Sequence, residues 1–217
     1  MTTYQDIAER LQAAQMAIEN DQADAEVQAA LALFGYDAAR LAAGRALYDE
    51  TAELVRQQSL EYGEQYAATA EFRAKWEKAQ EVYGRSLQVA RIAFKGDPKA
   101  QEALKLSGDR KNSFSGWFKQ ADAFYQNLLA VPNFVAAMSA FGYDEAKLQA
   151  EAALVTAANT ANNQQQIEIG EAQDATKARD AKLDELDDWV SDFRGIAEVA
   201  LADQPQFLEK LAFGPVP

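Results

Sequence analysis

The chain has 217 residues, of which 48% are hydrophobic and 25% charged, and it carries a formal net charge of −13 with no cysteine and no histidine. This length is sufficient for a buried core. The missing side chains exclude disulfides, thiolate nucleophiles, imidazole bases and metal sites built from Cys or His. The acidic balance disfavours nucleic acid and anionic membrane surfaces as partners, because both carry negative charge. The charge is instead typical of a surface that keeps an apolar-rich protein soluble.

The N-terminal residues predict neither a leader nor a membrane anchor. Residues 1–6 lack the basic segment and following apolar run of a signal peptide. No stretch of the chain approaches the roughly 18 consecutive apolar residues that a membrane-spanning helix needs. We therefore expect a cytoplasmic protein that does not enter a membrane.

Few residues break helices, so those that do predict where the helices end. Asp21 and Asp24 separate a first helix from a short second one, which Gly35 ends as a C′ glycine. Asp37 then caps a long helical segment that continues to Lys95.

A short helix is expected to follow the long segment. Asp97 is placed to cap it and Pro98 to occupy its first position. The segment 107–110, Ser-Gly-Asp-Arg, then joins the first half of the chain to the second. In that half, the Val-Pro-Asn segment 131–133, Gly142 and Asp144 repeat the earlier pattern of break, C′ glycine and N-cap.

The two halves are predicted to be diverged copies of one unit. Phe34-Gly35-Tyr36-Asp37 returns 107 residues later as 141–144, and the offset then holds without a gap. Over the 71 positions from 34 to 104, 23 residues are identical to those 107 positions further on. We expect two helical repeat units, 1–107 and 108–217, with one intertwined domain as the alternative arrangement.

Each long segment carries a heptad pattern with a polar middle. Apolar or small residues recur every seven positions in both copies, which favours an all-α bundle with long antiparallel coiled-coil-like helices. The residues are Leu41, Tyr48, Val55, Tyr62, Thr69, Trp76, Tyr83 and Ala90, then Leu148, Val155, Asn162, Ile169, Thr176, Leu183, Val190 and Ala197. Two arrangements fit: one continuous helix per copy, which the unbroken phase favours, or segments that fold back near Gly63 and Gly170.

Four glutamates form the one predicted metal candidate. Glu61 and Glu64 are repeated as Glu168 and Glu171, and residues three apart share a helix face. Four carboxylates brought together could bind a hard cation. Solvated pairs on exposed helices are the favoured interpretation, so we assign no metal ligand.

Two charged stretches are interpreted as solvated surface. The acidic run from Asp180 to Asp192 lacks the spacing and glycine of a calcium-binding loop, and buried apolar residues interleave with it. A basic stretch from Lys95 to Lys119 lies near aromatic residues, an arrangement that can bind single-stranded nucleic acid. Acidic residues dilute it, and Phe114 and Phe118 align with core positions of the first copy, so we predict no nucleic-acid site.

An aromatic stripe offers a further alternative. Tyr48, Tyr62, Trp76 and Tyr83 share one helix face and are interpreted as core, although they could line a ligand cavity between helices. The sequence contains no phosphate-binding glycine loop, dinucleotide fingerprint or nucleophile elbow. We assign no catalytic or cofactor-binding residue and no cofactor.

The C-terminal half carries a recognisable pattern. Trp189, Phe193 and Ile196 precede Asp203-Gln204-Pro205, and Gly170-Glu171-Ala172-Gln173 lies at the centre. Together these resemble a group of internally duplicated bacterial helical-bundle proteins with no assigned activity. The resemblance implies a bacterial source and a helical fold, and it transfers no site residue. The first copy departs from the pattern, with Tyr83 and Leu87 in place of Val190 and Arg194.

The sequence favours a non-enzymatic helical interaction or scaffold protein that binds a protein partner or itself. A helical bundle that binds a small molecule or lipid is the alternative, and a carboxylate-only metal protein is the third hypothesis.

Overall fold

The computed structural model describes residues 4–22 and 25–211, and this part of the chain is all-α. The predicted break at Asp24 lies outside the described residues. The helices are α1 (Tyr4–Gln22), α2 (Ala25–Ala32), α3 (Ala38–Ala93), α4 (Pro98–Ala103), α5 (Phe114–Leu129), α6 (Pro132–Ser139), α7 (Glu145–Ala200) and α8 (Pro205–Lys210). The bounds of α2 and α6, and those of α4 and α8, differ by 107 residues, as the sequence offset predicts.

Local capping explains where the long helices begin. The Asp37 carboxylate accepts a hydrogen bond from the backbone N–H of Arg40 at 2.9 Å, and Asp144 accepts one from Lys147 at 2.8 Å. Gly35 and Gly142 precede these caps with φ of 84° and 77°, values at which a residue with a Cβ would be strained. The predicted C′ glycines and the N-caps of both long helices are therefore confirmed.

Both long segments are continuous helices. α3 and α7 have 56 residues each, and Gly63 and Gly170 lie inside them rather than at turns. The fold-back arrangement is therefore not the one that forms. The physical reason is that a single glycine in a long heptad costs only about 1 kcal/mol relative to alanine, too little to end a helix.

The helices are divided between two compact units. The first unit consists of Met1–Tyr62 and Glu171–Pro217, and the second consists of Gly63–Gly170. Each unit therefore contains half of α3 and half of α7, and the units do not coincide with the sequence copies 1–107 and 108–217.

Within each unit the halves of α3 and α7 run antiparallel. In the first unit, Thr51 donates a hydrogen bond to the backbone carbonyl of Lys182 at 3.5 Å. In the second unit, Gln165 donates to Thr69 at 3.2 Å, and Ser86 contacts Glu151 further along. Residue numbers that rise on α3 thus meet numbers that fall on α7, as the predicted long antiparallel helices require.

Each unit has its own apolar core. The core of the first unit joins α1, α2, the first half of α3, the last part of α7 and α8. Leu31, Phe193 and Leu211 in this core are fully buried. The core of the second unit is richer in aromatic residues. There Tyr83 packs edge-on against Phe124, with ring centroids 5.5 Å apart, a geometry that adds to the stabilisation from burial.

The predicted polar middle of the long helices is present as an unburied stretch. Thr51 and Phe72 are buried, and no α3 residue between them is. Several large apolar side chains in this stretch are exposed, among them Leu60 at 54% and Tyr66 at 70%. Tyr62, which the heptad pattern placed on the core-facing stripe, is also 36% exposed.

Candidate functional site

A buried carboxylate in the second unit is the most unusual polar feature of the described residues. Glu151 lies on α7 and is 8% exposed. It accepts hydrogen bonds from two hydroxyls: that of Ser86 on α3 and that of Tyr125 on α5, the latter at 3.1 Å. Both hydroxyls belong to residues that are almost fully buried. We call these three residues the polar trio.

The trio holds its charge by hydrogen bonding rather than by an ion pair. A buried carboxylate is costly unless donors satisfy it, and hydrogen bonds to a charged group are stronger than neutral ones. Burial raises the pKa of the Tyr125 phenol well above its usual range, and the charge of Glu151 raises it further. Tyr125 therefore remains a proton donor to Glu151 across the physiological pH range.

The sequence already contains a signal for the polar trio, because Glu151 and Ser86 occupy heptad positions that face the core. Glu151 falls three residues after Leu148 on the heptad stripe, and Ser86 falls three residues after Tyr83. These are core-facing positions in a heptad, where a polar residue is unusual and often determines pairing. The sequence-based prediction of site residues missed both of them.

The first unit fills the corresponding positions with apolar groups. Subtracting 107 from Glu151 and Tyr125, and adding it to Ser86, gives Gly44, Ile18 and Phe193. A Cβ built on Gly44 would lie 2.1 Å from the indole ring of Trp189, so no larger residue fits there without displacement. Trp189 in turn stacks on Phe193, with ring centroids 5.1 Å apart.

The predicted metal candidates are divided between the units. Glu61 and Glu171 belong to the first unit, whereas Glu64 and Glu168 belong to the second. Carboxylate oxygens of Glu61 and Glu171 approach within 4.8 Å. Two carboxylates are far fewer than the six to eight oxygen ligands that calcium takes. The assignment of no metal ligand stays a prediction, with metal binding as its untested alternative, and the first unit by itself supplies no complete ligand set from these residues.

The acidic run is a solvated helix face, as predicted. Leu183, Leu186 and Phe193 on the same stretch are fully buried. Asp187 instead pairs with Arg10 of α1 at 2.5 Å, and Lys182 pairs with Glu185 at 2.7 Å. These carboxylates therefore help to fix α1 and to keep the surface polar.

The basic stretch contributes to the fold. Arg110 donates to the Tyr83 hydroxyl at 3.0 Å and to the backbone carbonyl of Lys105 at 2.9 Å, which holds the segment between α4 and α5 in place. The nearby aromatic Trp117 is only 4% exposed. The buried ring of Trp117 is therefore not accessible to a nucleic-acid base.

Two members of the aromatic stripe are packed core. Trp76 lies edge-on to Phe114 at 5.4 Å between centroids, and Tyr83 lies edge-on to Trp117 at 6.5 Å. Tyr48 instead donates a hydrogen bond to Gln15 at 3.2 Å. Rings that pack on one another leave their faces unavailable to a ligand, so these contacts favour the core interpretation of the stripe.

A depression of about 410 Å³ lies in the first unit. It is lined by Tyr36, Arg40, Ser191, Asp192, Gly195 and Ile196. The Arg40 guanidinium covers the Tyr36 ring at 4.2 Å, and burial raises the pKa of the Tyr36 phenol. Four of the six lining residues are exposed, whereas binding sites for small molecules cover most of the ligand surface. The depression is therefore more open than a typical small-molecule site.

None of the helices in the described part of the chain combines the length and apolar character that a membrane span requires. Comparison of the chain with protein-family models, curated proteins and solved structures finds no match in any of the three.

Proposed function

We propose that the chain is a non-enzymatic interaction protein that binds a protein partner through two similar apolar surfaces. The observation that carries the proposal is a recurrence among exposed large apolar residues. Phe34 and Phe141 are 45% and 50% exposed, and their sequence positions differ by 107. Ile92 and Val199, also 107 positions apart, are 63% and 58% exposed.

These residues form one apolar pair in each unit. Phe34 precedes the start of α3 and Val199 lies near the end of α7. Because these helix halves are antiparallel, the two residues lie at the same end of the first unit. By the same reasoning Phe141 and Ile92 lie at one end of the second unit. We call them the first and second apolar pairs.

Recurrence as a pair at one end of each unit is what distinguishes these residues from ordinary surface apolar groups. Single exposed apolar side chains are common and need no explanation. Large apolar residues exposed at corresponding places in both units are instead typical of a binding surface that is used twice. Aromatic side chains such as Phe bury a large apolar area and contribute strongly to the energetics of protein interfaces.

Charge favours a different protein over a second copy as the occupant. Two chains with a net charge of −13 each repel one another at moderate ionic strength. A partner with basic residues around an apolar centre would be attracted by the same charge. The proposal includes a cytoplasmic location and an origin by duplication, the second of which is supported by the shared offset of the helix bounds.

The test begins with the wild-type chain immobilised to enrich binding proteins from an extract of its source cells. A purified candidate is then titrated calorimetrically against three chains: wild type, Phe34→Ser/Val199→Ser and Phe141→Ser/Ile92→Ser. We expect two partner molecules per wild-type chain and one per chain in each double variant, because each pair is a separate surface.

The matched control is Leu60→Ser/Ile167→Ser, which removes two apolar residues that are 54% and 52% exposed. They also differ by 107 positions, but they lie in the middle of the long helices and belong to different units. This control should bind like the wild type, and circular dichroism should show equal helix content in all variants. Partner binding that persists when both apolar pairs are replaced would contradict the proposal. So would a stoichiometric small molecule retained in the native mass spectrum of the wild-type chain.

A further inference from the structure

The contact between α3 and α7 is built in opposite ways in the two units. In the first unit α3 supplies the small residue, Gly44, and α7 supplies Trp189, whose indole ring fills the space beside it. Phe193 of α7 stacks on that ring. In the second unit the roles are reversed. There α7 supplies the larger Glu151, and α3 supplies Ser86 as its hydrogen-bond donor.

Each fit works only between α3 and α7. If two α7 helices paired in the same antiparallel register, Glu151 of one chain would meet Trp189 and Phe193 of the other. A Cβ built on Gly44 would already lie 2.1 Å from the Trp189 ring. The larger Glu151 side chain in the same place would therefore collide with that ring. The carboxylate would also lose the Ser86 hydroxyl, and a buried charge without its donors is strongly destabilising.

Pairing of two α3 helices would fail for the opposite reason. Gly44 would face Val82 and Ser86, the residues 107 positions before Trp189 and Phe193. The space that the indole fills in the first unit would be left empty, and empty core volume is costly.

We propose that the contacts of Gly44 with Trp189 and of Ser86 with Glu151 form a pairing code. The code joins each half of α3 to a half of α7 and prevents two copies of the chain from exchanging their long helices. A chain whose halves resemble each other needs such a device, because its repeated heptads would otherwise be compatible with several pairings. The code combines a steric exclusion with a buried charge, the kind of repulsive element by which specific helix pairs reject alternatives.

Cysteine reporters can measure the pairing directly, because the natural chain contains no cysteine. Thr69→Cys/Gln165→Cys places thiols at the observed contact between α3 and α7 and should form a disulfide within one chain. Gln165→Cys/Thr176→Cys places both thiols on α7, 11 residues apart. At about 1.5 Å per residue they are about 16 Å apart and cannot bond within a chain. A disulfide from position 165 of one chain to position 176 of another requires the α7 helices to pair, and peptide mapping distinguishes it from the like-position disulfides of chance collisions.

Both reporter chains are unfolded in guanidinium, refolded over a series of protein concentrations and oxidised. We expect the α3–α7 reporter to cross-link within the chain and the α7–α7 reporter to give essentially no covalent dimer at any concentration. An α7–α7 dimer that forms readily in the otherwise natural chain would overturn the proposal. This arm needs no change in the core, so it remains decisive if a core variant fails to fold.

The second part of the experiment replaces the residues of the pairing code in the second unit. Val82→Trp/Ser86→Phe/Tyr125→Ile/Glu151→Gly gives the second unit the residues that the first unit has at these positions. In the α7–α7 reporter we expect this change to raise covalent dimer by more than about tenfold, because it removes the buried carboxylate that opposes the pairing. Met138→Ala in the same reporter controls for general loss of stability, since Met138 is fully buried in the same unit. Equal dimer yields from the control and the four-residue variant would overturn the proposal.

Discussion

Gly44 and Glu151 show how one position can be used in opposite ways. Each lies on the core-facing side of a long helix. One leaves room for an indole ring and the other places a carboxylate among hydroxyl donors. Glycine in the interior of a helix is unfavourable by about 1 kcal/mol relative to alanine. The contact with Trp189 explains why a glycine is present at position 44. The substitution Gly44→Ala, which adds one methyl group, tests this explanation.

Gly44→Ala should be less stable than Gly195→Ala. Both changes gain helix propensity, but a Cβ at 44 collides with Trp189 whereas one at 195 meets nothing within 4 Å. Both glycines belong to the first unit. The difference in free energy of unfolding between the variants should be about 1–3 kcal/mol, the usual cost of overpacking. Urea denaturation followed by circular dichroism measures it, and equal midpoints would show that the ring moves aside without cost.

Tyr125→Phe should change the alkaline limb of the stability curve. The folded state holds the pKa of this phenol above its ordinary value, so the native chain keeps the proton more tightly than the unfolded chain. The resulting stabilisation is complete below the unfolded pKa of about 10 and is lost as pH rises above it. Near neutral pH the variant should be less stable by about 1.5–3 kcal/mol, the value of a hydrogen bond to a charged group.

Above pH 10 this gap should narrow by about 1.4 kcal/mol per pH unit. Ser86→Ala is the control, because it removes the other donor to Glu151 without removing a titrating group. Its deficit relative to wild type should stay constant over the same range. Urea midpoints collected between pH 7 and pH 11 make the comparison. A gap for Tyr125→Phe that does not narrow would show that the phenol is not protected from ionisation.

At the scale of elements, local chemistry was sufficient to predict most helix ends. Asp37, Asp97 and Asp144 each accept the backbone hydrogen bond expected of an N-cap, and Pro98 begins α4. These features depend on a few neighbouring residues and on backbone geometry, so they can be read without knowledge of the fold.

The continuity of the long helices was less certain from sequence. A glycine beside glutamines is compatible with either a turn or a weak stretch of helix, and the heptad phase alone favoured the helix. Capping chemistry distinguishes the two cases. Gly35 and Gly142 precede an aspartate cap and adopt positive φ. Gly63 and Gly170 are each followed by glutamate, and each lies inside a helix.

At the scale of the whole molecule, two cores are distributed over one chain. The corresponding residues Leu31 and Met138 are both fully buried, one in each core. Replacement of either by alanine should cost about 2–5 kcal/mol, the usual range for removing most of a buried side chain. Because the cores share no residue, the loss should be confined to one unit.

Hydrogen exchange measured by mass spectrometry tests this expectation. Leu31→Ala should reduce amide protection in α1, α2 and α8, and Met138→Ala should reduce it in α4, α5 and α6. Each variant serves as the control for the other. Equal loss of protection in both sets of helices from either variant would show that the two units open as one cooperative structure.

By itself the sequence determined the all-α class, the capped ends of the helices, the heptad stripes and the offset that relates the two halves. All of these follow from propensity, capping and periodicity, which act over a few residues along the chain. Only the tertiary structure decided that each compact unit takes half of α3 and half of α7, and that Glu151 meets Ser86 and Tyr125. Those contacts join residues 65 and 26 positions apart. They depend on which helix faces meet in space, and no pattern along a single helix contains that information.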